Sequence, residues 1–245
     1  MAGLTAEYVV NRTRQLTQVF SAASTFVDGF TLPLGEGETS ILDGVNDALA
    51  DLSLTRIRTQ EFSVASVVGQ RYYTVEETIL EIISCTYAGR ELEITSLEGL
   101  REDEFESLLT TNGSPTRLFR LGSRYALWPA PSATTNHILT ASTALPTLVN
   151  AADTLTHIPL PLQRKVPYVG ALILAQSDAE NPAHATRIGY LQSQAASLFF
   201  ALWALNTKDF SNPANFDIAA RLPAYLSNYA NAYKPGGATG AEGAR

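Results

Sequence analysis

Gly113-Ser-Pro-Thr-Arg-Leu-Phe-Arg-Leu-Gly-Ser-Arg-Tyr-Ala-Leu-Trp-Pro-Ala-Pro131 decides the fold. It reads as a β-hairpin. Pro115 fixes φ after a Gly-Ser turn, apolar Leu118 interleaves with Arg117 and Arg120, Gly122-Ser123 turns the chain, and Tyr125, Leu127 and Trp128 return. Pro129 and Pro131 end the second strand, because proline cannot donate to a ladder. A further alternating run, His137 to Thr143, is followed by Pro146 and by Asp153-Thr-Leu-Thr-His-Ile-Pro159, which leads into helical sequence.

Working upstream, Glu61 to Ile94 carries strand signals. Phe62-Ser-Val64 and Tyr73-Thr-Val75 flank Gly69-Gln70, Thr78 to Thr86 is rich in β-branched residues, and Ala88-Gly-Arg90 turns into Glu91-Leu-Glu-Ile94. These are four expected strands. Further back, Ser40 caps a helix with Ile41, Leu42, Val45, Ala48, Leu49 and Leu52 on one side, and Thr5 to about Phe20 predicts another. Asp28 to Glu38 reads as a loop. An acidic-started helix is expected over Leu97 to Leu109, where Glu98, Glu102, Asp103 and Glu104 suit the dipole.

Downstream, Pro161 suits a first helical turn and Leu162, Val166, Val169, Leu172 and Ile173 form an apolar stripe. Pro167 inside that stripe predicts a late helix start or a kink. Asn181-Pro182 opens the longest helix, with Ile188, Leu191, Ala195, Leu198, Leu202 and Leu205 on one side. Phe199, Phe200 and Trp203 widen that face beyond what one neighbour covers, so part of it is expected against another subunit or partner. After Pro213, Leu222, Tyr225, Tyr229 and Tyr233 recur at steps of three and four. Two readings stand: a segment docked on its own domain, or an arm, loose in the free protein, that lays aromatics on a partner. The glycine-rich end from Lys234 has no large apolar anchor.

The 245 residues, 45% of them apolar, suffice for one large core or two smaller ones. The single cysteine, Cys85, excludes an internal disulfide and reads as a core hydrophobe. The sequence shows neither an 18-residue uncharged apolar run nor a signal-like start, so a soluble, non-exported protein is expected. Net charge is -7, and the 17 Lys and Arg residues are scattered, which argues against capture of nucleic acid through its phosphates. Most of these cations are arginine, whose fixed fork suits interface pairing. In the hairpin, Arg117, Arg120 and Arg124 are therefore candidates for intersubunit pairing. With Phe119, Tyr125 and Trp128 they could instead form a base-stacking platform, but an acidic chain does not favour it.

Signals for chemistry are mostly negative. His137, His157 and His184 stand in no metal-ligand spacing and read as turn or surface residues. There is no nucleophile elbow, phosphate-cradling loop or dinucleotide fingerprint. No catalytic residue, metal or cofactor is expected.

The order of motifs resembles the head-to-tail adaptor (connector) proteins of tailed bacteriophages, over about Ser40 to Lys208. It runs Gly69-Gln-Arg-Tyr-Tyr-Thr-Val75, Gly113-Ser-Pro115, Tyr125-Ala-Leu-Trp-Pro-Ala-Pro131, Leu145-Pro-Thr-Leu148 and Asp153 to Pro159, with two helices behind. One stretch departs from that pattern. Thr140-Ala-Ser-Thr-Ala144 stands where aromatic and basic residues are usual. The resemblance implies an α+β fold: a helical bundle from residues 1–58 and 159–208, an inserted antiparallel β-rich domain over 59–158, and a C-terminal arm over 209–245. It implies a structural virion protein, a ring of about twelve copies matching the portal protein's symmetry, joined to a tail or nozzle protein, with duplex DNA passing through. The aromatic face of the last helix and the arm's Leu222, Tyr225, Tyr229 and Tyr233 would then meet the portal or a neighbouring copy. A carbohydrate- or protein-binding β module of a phage tail, or an enzyme without an advertised site, are the alternatives.

Overall fold

The computed structural model describes residues 3–17, 25–31, 34, 38–95, 111–176, 185–206 and 222–227. The chain divides into two compact units, Met1–Ile57 with Leu145–Arg245, and Arg58–Ala144. Helices dominate the first and antiparallel-rich sheets the second, so the fold class is α+β.

In the first unit, helix α1 (Ala6–Thr17) starts after Thr5, whose hydroxyl accepts from the Tyr8 amide at 3.3 Å. Strands β1 (Thr25–Val27) and β2 (Glu38–Ser40) pair in parallel. Helix α2 (Ile41–Ser53) begins as its cap predicts: Ser40 Oγ accepts from the Asp43 amide at 3.1 Å. Its six expected apolar residues are all buried. Proline then shapes the next element. A short helix α3 (Leu160–Gln163) breaks off, and α4 (Val166–Gln176) starts late with Pro167 in its first turn, where the missing N–H is no loss. Helix α5 is Ala185–Asn206; its expected opening at Asn181-Pro182 lies outside the described residues. Helices α1, α2 and α5 all pack on α4, which is buried along most of its length. Gly44 of α2 permits that approach, since a Cβ there would stand 2.7 Å from Leu174 Cγ. At the far end of α5 Leu205 is exposed, not on the buried side as expected.

The second unit holds two four-stranded sheets. In one, β3 (Thr59–Ala65), β12 (Asn136–Thr143), β5 (Ile79–Tyr87) and β6 (Arg90–Glu91) lie in the order β3-β12-β5-β6, all antiparallel. In the other, β4 (Tyr72–Thr74), β10 (Arg124–Trp128), β9 (Arg117–Leu121) and β7 (Glu93–Thr95) lie in the order β4-β10-β9-β7, with β7 parallel to β9. The β9–β10 hairpin turns at Gly122-Ser123, and Gly122 takes the positive φ of 59°. The single strand expected over Glu91 to Ile94 is in fact two. Leu92 donates to Cys85 and Glu93 to Thr116, so the chain changes sheets between neighbouring residues. Both sheets contribute to one core, with Ile82, Cys85, Leu118, Tyr125, Leu127 and Leu139 in it. Trp128 stands outside that core. It is half-buried beside Phe119 and Ala126. Pro131 belongs to a two-residue parallel strand, β11 (Ala130–Pro131), paired with β8 (Asn112–Gly113). The helix expected over Leu97 to Leu109 lies outside the described residues.

Candidate functional site

Helix α5 corrects the expectation of an open aromatic face. Phe199, Phe200 and Trp203 are 0%, 6% and 3% exposed and belong to the helical unit's own core. The width of the stripe has a local cause. α5 packs on α4 along one side, and the segment around Leu222 and Leu226 joins the same core. Two sets of neighbours from one chain cover what had looked like surface for a second chain.

The tail segment resolves in the same direction. Leu222 and Leu226 are buried, residues 224–227 form a single tight turn, and Gln192 Nε2 donates to the Tyr225 carbonyl at 3.2 Å. The Tyr225 hydroxyl donates to Asp51 Oδ2 at 2.5 Å. Burial raises the Asp51 carboxyl above its usual range while this bond opposes it, and burial together with the Asp51 partner pushes the Tyr225 phenol up. Here Leu222 and Tyr225 are anchors onto α2 and α5, not a free arm. Tyr229 and Tyr233 lie outside the described residues. Leu226, the most buried of the segment, stands four residues after Leu222 and three before Tyr229, so the spacing that singled out the tyrosines also reaches it.

Two of the hairpin arginines are occupied within the chain. Arg117 Nε donates to Glu93 Oε2 at 3.0 Å and its guanidinium lies 5.3 Å from the Trp128 ring centroid. Arg120 Nη1 donates to the Leu80 carbonyl at 2.7 Å. Arg124 is exposed at the turn. Within the chain, Arg117 and Arg120 thus already have partners on β7 and β5.

His137 overturns the surface reading given to it. It is fully buried, with Nδ1 2.8 Å from Ser66 Oγ and Nε2 2.6 Å from the Tyr125 hydroxyl. One ring nitrogen donates and the other accepts, so a neutral imidazole satisfies both partners. The Tyr73 ring meets the imidazole edge-on at 5.0 Å and stacks on Tyr125 at 5.5 Å. Burial lowers the His137 pKa to about 4, and it pushes the Cys85 thiol up to about 12. Ser66 and Tyr125 are also at 0% exposure. A serine beside a histidine can do nucleophilic chemistry only where substrate reaches it; this cluster ties β12 to β10 and to the end of β3. The signal was present in the alternation of β12, where His137, Leu139 and Ala141 share the inward face. His157 is exposed, as expected, and His184 lies outside the described residues.

Among the described residues no group of three or more His, Cys, Asp or Glu is placed to hold a metal ion, and no helix is long and apolar enough to cross a membrane. Fold and clusters together define a two-unit α+β protein whose buried polar groups serve the structure. The family model for the SU10 adaptor protein matches residues 14–215, and the chain belongs to that family. It is therefore a phage structural adaptor, a virion component that meets other head–tail proteins. No curated protein matches the chain.

Proposed function

We propose that this chain forms the head-to-tail adaptor ring: copies of it bind below the portal protein, join the capsid to a tail or nozzle protein, and continue the DNA channel. The observation that carries this reading is the family match, which spans parts of both compact units. The charge is consistent with it. A ring of chains each at -7, with dispersed cations, lets duplex DNA pass with weak repulsion instead of holding it. No cofactor and no catalytic residue enter this role. The docked Leu222 and Leu226 move the start of any partner-reaching arm to residues after Ser227, with Tyr229 and Tyr233 as its anchors.

Electron microscopy of the protein co-expressed with its portal protein tests the reading. A ring of adaptor density stacked on the portal is the expected result; a monomer that never joins portal-bearing particles would end it. Deleting residues 228–245 separates the arm from the ring, with loss of portal attachment and an unchanged melting curve expected.

A further inference from the structure

We propose that a groove on the helical unit, where Arg12 and Arg164 stand among tyrosines, takes the acidic outer stripe of helix α2 from a second copy of this chain. The proposal rests on the ring reading and names the contact that would close the ring.

The groove has a volume of about 340 Å³ and is lined by Tyr8, Asn11, Arg12, Gln15, Arg164 and Tyr168. Among the described residues no carboxylate lines it. It exists because α1 commits its other side to the core: Ala6, Val9, Val10, Thr13 and Thr17 are buried, which leaves Tyr8, Arg12 and Gln15 on the outer side at steps of four and three. Gln15 Oε1 accepts from Arg12 Nη1 at 2.8 Å and holds the guanidinium in place. Arg164, exposed where α3 ends, makes no ion pair among the described residues. Arg14 and Arg117 are neutralised by Asp28 and Glu93, whereas neither groove arginine has a carboxylate partner among the described residues. Beside them Tyr168 meets Tyr190 edge-on at 6.0 Å, and Tyr8 and Tyr190 are 45% and 54% exposed. Arg12 is close enough to Tyr190 for its charge to act on that phenol. Paired guanidinium forks between phenol rings, without an internal counter-ion, make a receptor for carboxylates.

The matching surface is on the same chain. On α2, Asp43 and Asp47 are exposed one turn apart, with Leu54 44% exposed further along. Neither aspartate is ion-paired among the described residues. No lining residue of the groove belongs to α2, so one copy can offer its groove and its stripe at the same time. Made in one direction, such a contact is heterologous and closes into a ring when the rotation from copy to copy divides a full turn, whereas the same contact made reciprocally would stop at a dimer. Leu54 beside the exposed tyrosine rings adds an apolar edge to the charge pairing.

Charge reversal tests this with the full chain. Arg12→Glu/Arg164→Glu and Asp43→Arg/Asp47→Arg change exposed side chains, so both proteins should melt close to the wild type. Self-association is followed by native mass spectrometry and sedimentation, with and without portal protein. Each variant alone should associate about tenfold or more weakly than wild type, and an equimolar mixture of the two should recover, because each then carries the partner charge of the other. Variants that assemble as wild type does, or a mixture that fails to recover, would overturn the contact while leaving the ring reading intact. Wild-type assembly that stops at dimers with the same charge dependence would end the ring reading and keep the contact. Wild type that never self-associates, even with portal, overturns both. If Arg12→Glu/Arg164→Glu abolishes duplex DNA binding and leaves assembly unchanged, the groove belongs to phosphate and the proposal falls.

Discussion

His137 ties the stability of the β unit to pH. Its imidazole takes a proton at an ordinary pKa of about 6.5 when unfolded and, because of burial, only near pH 4 when folded. Between these values the unfolded chain binds more protons than the folded one, so stability falls as pH falls. The contribution is complete above about pH 6.5 and is lost by pH 4, a total of about 3 kcal/mol at 1.36 kcal/mol per unit. Urea midpoints for the β unit should therefore drop between pH 7.5 and pH 5, and His137→Gln should remove most of that slope. An unchanged slope in the variant would mean that His137 does not govern it. Ser66→Ala and Tyr125→Phe each strand one ring nitrogen in a dry core, at about 1 to 3 kcal/mol. Spacing pointed to neither partner, because Ser66 lies 71 residues before His137 and Tyr125, 12 residues before it, stands in the other four-stranded sheet. A histidine's neighbours are set by sheet order, which spacing does not encode.

At the scale of elements, local rules did well wherever one residue type forces one geometry. Ser40 capping α2, Pro167 delaying α4 and Gly122-Ser123 closing the hairpin all stand where the sequence put them. Gly122 gives a clean test: a Cβ there meets nothing within 4 Å, so Gly122→Ala has only backbone strain to resist it. A loss of about 1 kcal/mol in chemical denaturation is expected; a loss above 3 would show hidden packing at the turn. Local rules failed where a face had more than one claimant. The aromatic width of α5 was real, but spacing cannot say whether its second neighbour comes from the same chain. The segment carrying Leu222 and Leu226 supplies that neighbour. Leu226→Ala should accordingly cost about 2 to 5 kcal/mol of helical-unit stability. Tyr225→Phe removes the bond to the half-buried Asp51 and should cost about 1.5 to 3. A silent Leu226→Ala would return the segment to the status of a loose arm.

For the whole molecule, the α+β class was legible from the change of hydrophobic period near Glu61 and its return after Ile158. The placement of the chain's crossings between sheets was not, since a single residue, Leu92, separates a strand paired to β5 from one paired to β9. Where the β unit begins and ends has its own physical signature. The Thr143 amide donates to the Arg58 carbonyl at 2.9 Å and Arg58 Nη1 donates to the Ala144 carbonyl at 2.8 Å, so the chain enters and leaves through adjacent residues. Adjacent ends, two four-stranded sheets and a core drawn from both of them are what an independently folding domain needs. Residues 58–144 expressed alone should then fold, giving a dispersed amide spectrum and one cooperative denaturation transition that still weakens between pH 7.5 and pH 5 through His137. Conversely, joining residues 57 and 145 by a short flexible linker should leave the helical core intact, because Leu145 is already tied to it: its amide donates to Ser53 Oγ at 2.8 Å. A fragment that gives no cooperative transition would show that the β unit depends on the rest of the chain, and that the pH slope belongs to the whole protein and not to this unit.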